Sequence, residues 1–161
     1  AVNLLIRNNK KSESFIIDTL DKNNVRKSVK TALLISLGGD NSKEARETVE
    51  FYAVKAKLES VRKAGKIAWK MQNPPVAGIM VVSVNTETNI SKDGLQIGDI
   101  ITKVDQRSLA NIDTYGAIYM SNIVTKKGMK VYVLRDGKET TITSTAAWKK
   151  GAIGHKITPK K

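Results

Sequence analysis

The stretch Lys92-Asp93-Gly94-Leu95-Gln96-Ile97-Gly98-Asp99-Ile100-Ile101-Thr102-Lys103-Val104-Asp105 decides the fold. Gly94 and Gly98 bracket a turn, where glycine supplies the positive φ that tight turns need. The apolar run at 100–104 then reads as a short buried strand bounded by turn residues. Asp99 and Asp105 flank that strand, and an aspartate there fixes a turn by accepting from nearby backbone N–H groups. A second signal follows: Gly128-Met129-Lys130-Val131-Tyr132-Val133-Leu134-Arg135-Asp136-Gly137-Lys138-Glu139. Asp136-Gly137 between alternating segments predicts a hairpin closed by a type I′ turn, with arms over 130–134 and 139–144. Between the two signals, residues 113–124 predict an amphipathic helix.

Further out, residues 79–84 and 152–157 read as strands. The chain starts with a short apolar, strand-like piece at 2–6. Ser12 offers a cap for a helix with Phe15, Ile16 and Leu20 at helical spacing. Val25, Val29, Leu33 and Leu37 recur every four residues as a second helix, stopped by Gly38-Gly39. Asp40-Asn41-Ser42 offers caps for a third, whose stripe Phe51, Val54, Leu58 and Val61 runs to a stop at Gly65. Beyond it Ile67, Trp69 and Met71 alternate with Lys66, Ala68 and Lys70, which predicts a half-buried strand over 66–71 that Asn73-Pro74-Pro75 breaks.

From 65 to 145 this order resembles the bacterial PDZ domain, a module that binds peptides and extended chain segments. The resemblance implies an α+β chain: a helical, basic N-terminal region over 1–64, a small PDZ-like β-sandwich or partly open barrel with one principal helix over 65–146, and a basic segment over 147–161 that adds its last strand. In that family a peptide adds as a strand between a domain strand and the helix. Carried onto this sequence, the groove lies between 66–71 and 113–124 and is lined by Ile67, Trp69, Tyr115, Ile118, Tyr119 and Asn122. Plain core packing accounts for each of these equally well. A family loop of pattern apolar-Gly-apolar gives its N–H groups to a ligand's terminal carboxylate. One candidate is Ile67-Ala68-Trp69, with alanine where the family has glycine. The other is Ile153-Gly154, with His155 in place of the second apolar residue.

Composition sets the remaining bounds. The absence of cysteine excludes disulfides, thiol catalysis and Cys-ligated zinc, and a single histidine excludes a His-rich metal site. No apolar run approaches the roughly 18 residues of a membrane span, so a soluble, cytoplasmic protein is expected. The net charge of +13 is uneven: +7 over 1–74, +1 over 75–146 and +5 over 147–161. Lys126, Lys127, Lys130, Lys149, Lys150, Lys156, Lys160 and Lys161 favour a polyanion near the C-terminal end, with Trp148 among them as a candidate stacking residue. Lysine outnumbers arginine 22 to 6, which suits diffuse attraction better than bidentate recognition. No nucleophile elbow accompanies His155, so no enzyme and no cofactor is expected. The sequence thus points to a non-catalytic adaptor that captures a protein segment, its basic flanks favouring an anionic partner. The alternatives are sequence-tolerant DNA or RNA binding on a PDZ-like scaffold, and a regulatory fragment of a larger protease.

Overall fold

A computed structural model describes residues 10–113, 117–149 and 151–160 of the chain. The strand expected at 2–6, and Tyr115, Lys150 and Lys161, lie outside the described residues. The chain divides into two compact units, one ending at Asn73 and the other beginning at Pro74.

The first unit holds α1 (Lys10–Asp21), α2 (Lys27–Leu37), α3 (Lys43–Lys55) and α4 (Glu59–Gln72). Its core gathers Ile16 and Leu20 of α1, Leu33, Leu34 and Leu37 of α2, Ala45 and Val49 of α3, and Val61, Ala64 and Ala68 of α4. Ser42 caps α3 by accepting from the Ala45 N–H at 3.0 Å. Tyr52 donates to Asp21 at 3.0 Å, and burial together with that carboxylate pushes its phenol up to about 12.

Four expectations are corrected here. Residues 66–71 are not a strand; they lie inside α4. Ile67, Trp69 and Met71 do alternate, but α4 buries Val61, Ala64, Gly65, Ala68 and Gln72, a helical spacing, and the small residues among them admit a neighbouring helix. Gly65 is therefore a contact and not a helix stop: a Cβ added there would lie 2.5 Å from the Ala53 backbone N. The division expected between 64 and 65 consequently falls within α4, and the units part after it. Last, Phe51, Val54 and Leu58 are 57%, 63% and 54% exposed. The buried face of α3 is instead Ala45, Val49, Tyr52 and Ala53.

The second unit is a sheet. In chain order it comprises β1 (Gly78–Val84), a short helix α5 (Asn89–Lys92), β2 (Ile100–Val104), β3 (Arg107–Ser108), β4 (Ala117–Tyr119), a 3₁₀ turn (Met120–Asn122), β5 (Lys130–Arg135), β6 (Lys138–Thr143) and β7 (Ala152–Ile157). The strands run in the order β4-β7-β1-β2-β5-β6, with β3 on β2, and every pairing is antiparallel. Ile79, Val81, Ile101, Val131 and Val133 from the central strands pack with Ile90, Leu95, Met120 and Trp148 as one core. The hairpin between β5 and β6 turns on Asp136 and Gly137 at φ 48° and 81°, the pair of positive values a type I′ turn requires.

The α+β class stands, while the principal helix expected over 113–124 does not. Its described residues form β4 and the 3₁₀ turn. Gly116, Ile118 and Tyr119 are weak helix formers, Gly costing about 1 kcal/mol against Ala, whereas Ile and Tyr suit a strand. Ala117, Ile118 and Tyr119 join the ladder of β7.

Candidate functional site

The strand and helix expected to form a groove are not seen among the described residues, and three devices set the geometry of the sheet at its β4 end. The first is the lock on the Gly94–Asp99 turn. Asp99 is 1% exposed, and Arg135 grips both its oxygens at 2.7 Å while donating a third bond of 2.7 Å to the Gly94 carbonyl. Asp99 also accepts from the Gln96 N–H at 2.9 Å. Its carboxylate in turn raises the Arg135 guanidinium further above its ordinary value. Asp105, at φ 49°, accepts from the Lys130 N–H at 2.8 Å and so ties β2 to β5. Both aspartates thus hold turns.

The second device fixes the segment that leads into β7. Asp93 accepts from Trp148 Nε1 at 2.7 Å and from the Thr145 hydroxyl at 2.7 Å and backbone N–H at 3.2 Å. Trp148 is 2% exposed and packs in the core, so it is no stacking platform for nucleic acid. Its own N–H donates to the Val124 carbonyl at 2.9 Å. These bonds deliver the chain to β7, which pairs along β1 from Gly78 opposite Ile157 to Val84 opposite Ala152.

The third device is the edge itself. β4 lies on the other side of β7, with Ala117 opposite His155, Ile118 opposite Gly154 and Tyr119 opposite Ile153. Beside β4 opens a cavity of about 440 Å³ lined by Ile118, Asn122 and Ile123 together with Arg107, Asn111 and Asp113. A neighbouring cavity of about 330 Å³ shares Arg107, Asn122 and Ile123 with it. Asn122 therefore stands where the two meet.

The PDZ domain family pattern matches residues 43–145, most of the chain. The chain belongs to the PDZ domain family. The match begins at Lys43, in α3, and not at Gly65. No curated protein and no solved structure matches the chain. PDZ domains are protein-interaction modules, and their mode of recognition is the addition of an extended strand to a sheet edge.

Of the residues singled out from the sequence, only part come together beside β4. Ile118 and Asn122 line the larger cavity, and Tyr119 lies on β4, 45% exposed. Ile67 and Trp69 belong to α4 in the helical unit and form neither a groove strand nor a loop. Ile153 and Gly154 are likewise not a carboxylate loop: they sit mid-strand in β7, between β1 and β4, where the ladder occupies their backbone. Lys126 and Lys127 are exposed in the turn before β5, Lys130 opens β5, Lys156 is half-buried on β7, and Lys149 and Lys160 are exposed. The sequence reading missed Arg107, Asn111 and Asp113. Their signal is the turn after Asp105, which folds Arg107 back opposite Val104 of β2 and leads on to Asn111 and Asp113 at the cavity. Among the described residues no cluster of His, Asp and Glu is placed to hold a metal, and no helix is long and apolar enough to cross a membrane.

His155 contributes one pH-dependent element. Burial lowers its pKa below the ordinary 6.5, so below that pH the unfolded chain binds a proton that the folded strand resists. The sheet unit is expected to lose stability as pH falls from about 7 to 5, and His155→Gln to flatten that slope. Urea midpoints measured at both pH values check this; parallel slopes for the two proteins would remove His155 as the cause.

Proposed function

We propose that the sheet unit captures an extended segment of a protein partner at its β4–β7 edge, with Asn122, Arg107 and Asp113 contacting the segment's side chains from the cavity beside it. One observation carries this reading: the sheet of a PDZ family member ends on β4, and that edge strand adjoins a cavity mixing apolar and polar groups. An edge strand leaves a row of backbone donors and acceptors for an incoming chain, and the cavity offers Ile118 and Ile123 for an apolar side chain and Arg107 for an acidic one. The excess of lysine outside this core favours an anionic partner.

The test is selection of displayed peptides on the immobilised protein, followed by titration of the best binder against Asn122→Ala. Asn122 is exposed, so its replacement leaves folding intact. Binding should weaken by about tenfold or more, the effect of removing a contact at the centre of a small interface. Ile118→Asp is a poor substitute, because Ile118 is 4% exposed in the core and the change would unfold the sheet. If no peptide is selected while duplex DNA binds with an affinity that falls steeply with salt, segment capture is wrong and the lysines act on nucleic acid.

A further inference from the structure

We propose that the corner between α3 and α4 docks the protein onto an anionic lipid surface. The inference is independent of segment capture, since it concerns the helical unit alone. Phe51 and Val54 lie three apart on α3 and so share one helix face, and Leu58 follows in the turn to α4. All three are more than half exposed. The packing of α3 is carried by Ala45, Val49, Tyr52 and Ala53, so these exposed apolar side chains add nothing to the core. Leu58 is the least expected of them. It is the N-cap residue of α4 and makes no side-chain bond there, where Ser, Thr, Asp or Asn would both cap the helix and suit water. A choice that local structure does not favour points to function.

Charge selects the occupant. Residues 51–66 carry Lys55, Lys57, Arg62, Lys63 and Lys66 against Glu59 alone, a net +4, whereas residues 43–50 carry two bases against three acids, a net −1. Positive charge therefore gathers at the same corner as the exposed apolar residues. Lys55, Lys57 and Lys66 are exposed and pair with no acid among the described residues. Arg62 donates to the Ala56 carbonyl at 2.8 Å and so holds the turn that presents Lys57 and Leu58. A second copy of the chain would shelter the apolar side chains but bring two basic corners together. A nucleic acid backbone would take the lysines and leave Phe51, Val54 and Leu58 in water. An anionic bilayer surface accepts both, because apolar side chains enter the boundary beneath the headgroups while lysines reach the lipid anions.

Co-sedimentation of the full chain with vesicles tests this, using phosphatidylcholine alone and phosphatidylcholine mixed with phosphatidylserine. The mixed vesicles should bind the chain about tenfold or more tighter than the neutral ones, with an affinity that falls as salt rises. K55Q/K57Q should lower the partition coefficient about 25-fold, at about fivefold per lysine. F51Q/L58S should lower it by about tenfold or more through lost apolar contact. All four positions are exposed, and serine caps a helix better than leucine, so neither change threatens the fold. K126Q/K127Q removes the same charge from the sheet unit and should cost less than K55Q/K57Q. Equal losses in those two variants, with F51Q/L58S unchanged, would overturn the corner as the docking face and leave attraction by net charge alone. Absence of binding to the mixed vesicles overturns the proposal outright. So does a dimer in sedimentation equilibrium that F51Q/L58S dissolves, which would give the face to a second copy. Duplex DNA held through Lys55 and Lys57, with no vesicle bound, would overturn it in favour of nucleic acid. Each of these failures leaves segment capture at the sheet untouched.

Discussion

Arg135→Ala is expected to destabilise the sheet unit by about 3–5 kcal/mol, because it strands a buried carboxylate. Asp99 is 1% exposed and loses both bonds of 2.7 Å that Arg135 makes to it. It keeps only the Gln96 N–H, and the Gly94 carbonyl loses its donor as well. Arg135→Lys should recover little, since a single ammonium cannot grip both carboxylate oxygens and the carbonyl in one plane. Replacing Arg135 and Asp99 together with apolar residues should cost less than Arg135→Ala alone, because no buried charge is then left without a partner. Urea unfolding followed by Trp148 fluorescence checks this in a Trp69→Phe background, where Trp148 is the remaining tryptophan. A loss below about 1 kcal/mol, the worth of an exposed pair, would mean that the pair does not lock the turn.

Trp148→Ala is the second large effect, about 3–5 kcal/mol, the range for truncating a buried aromatic residue. The indole fills the sheet core at 2% exposure and donates to Asp93 at 2.7 Å. Its loss does more than leave a void, since the chain from Thr145 to β7 is held by the same aspartate. Trp148→Phe keeps most of the ring volume and removes one donor, so it should cost about 1 kcal/mol. The two variants separate packing from the Asp93 bond, and backbone amide spectra of β7 report whether the strand stays seated. If Trp148→Ala leaves those spectra and the urea midpoint unchanged, Trp148 does not place the strand.

The parts of the fold legible in the sequence are those where one local signal dominates. The strand over 100–104 appears at its expected bounds, as does the one over 152–157. The Asp136-Gly137 turn has the two positive φ values that its residues announce. Two segments carried competing signals. In 66–71 an alternation of Ile67, Trp69 and Met71 overlies a helical spacing of Ala64, Ala68 and Gln72, and burial in α4 follows the second. Small residues hide such a face, because alanine and glycine add little to an apolar stripe yet permit the closest helix contact. In 113–124 burial falls two apart at Ile118 and Met120, then at helical spacing at Met120, Ile123 and Val124. The segment changes period within itself, so a single period could not describe it. The candidate site depends on that very segment. Ile118, Tyr119 and Asn122 were named for a helix face and stand instead on a strand and a 3₁₀ turn, while Ile67 and Trp69 belong to the other unit.

The placement of β4 also changes what the charged residues can be asked to do. Lys126, Lys127, Lys130 and Lys149 sit on turns and strand ends of the sheet unit, while Lys156 lies on β7 itself. Their contribution to partner binding would then be long-range attraction that salt screens, separate from the contacts that select a segment.

The most direct test of segment capture is an amide-resolved NMR titration of the labelled chain with the selected peptide. Addition of a strand at this edge predicts the largest shift changes at Ala117, Ile118 and Tyr119 of β4 and at Asn122, with backbone contacts from the peptide to β4. Shift changes confined to lysine-bearing turns such as Lys126 and Lys127, or to α1–α4, with β4 unmoved, would contradict it.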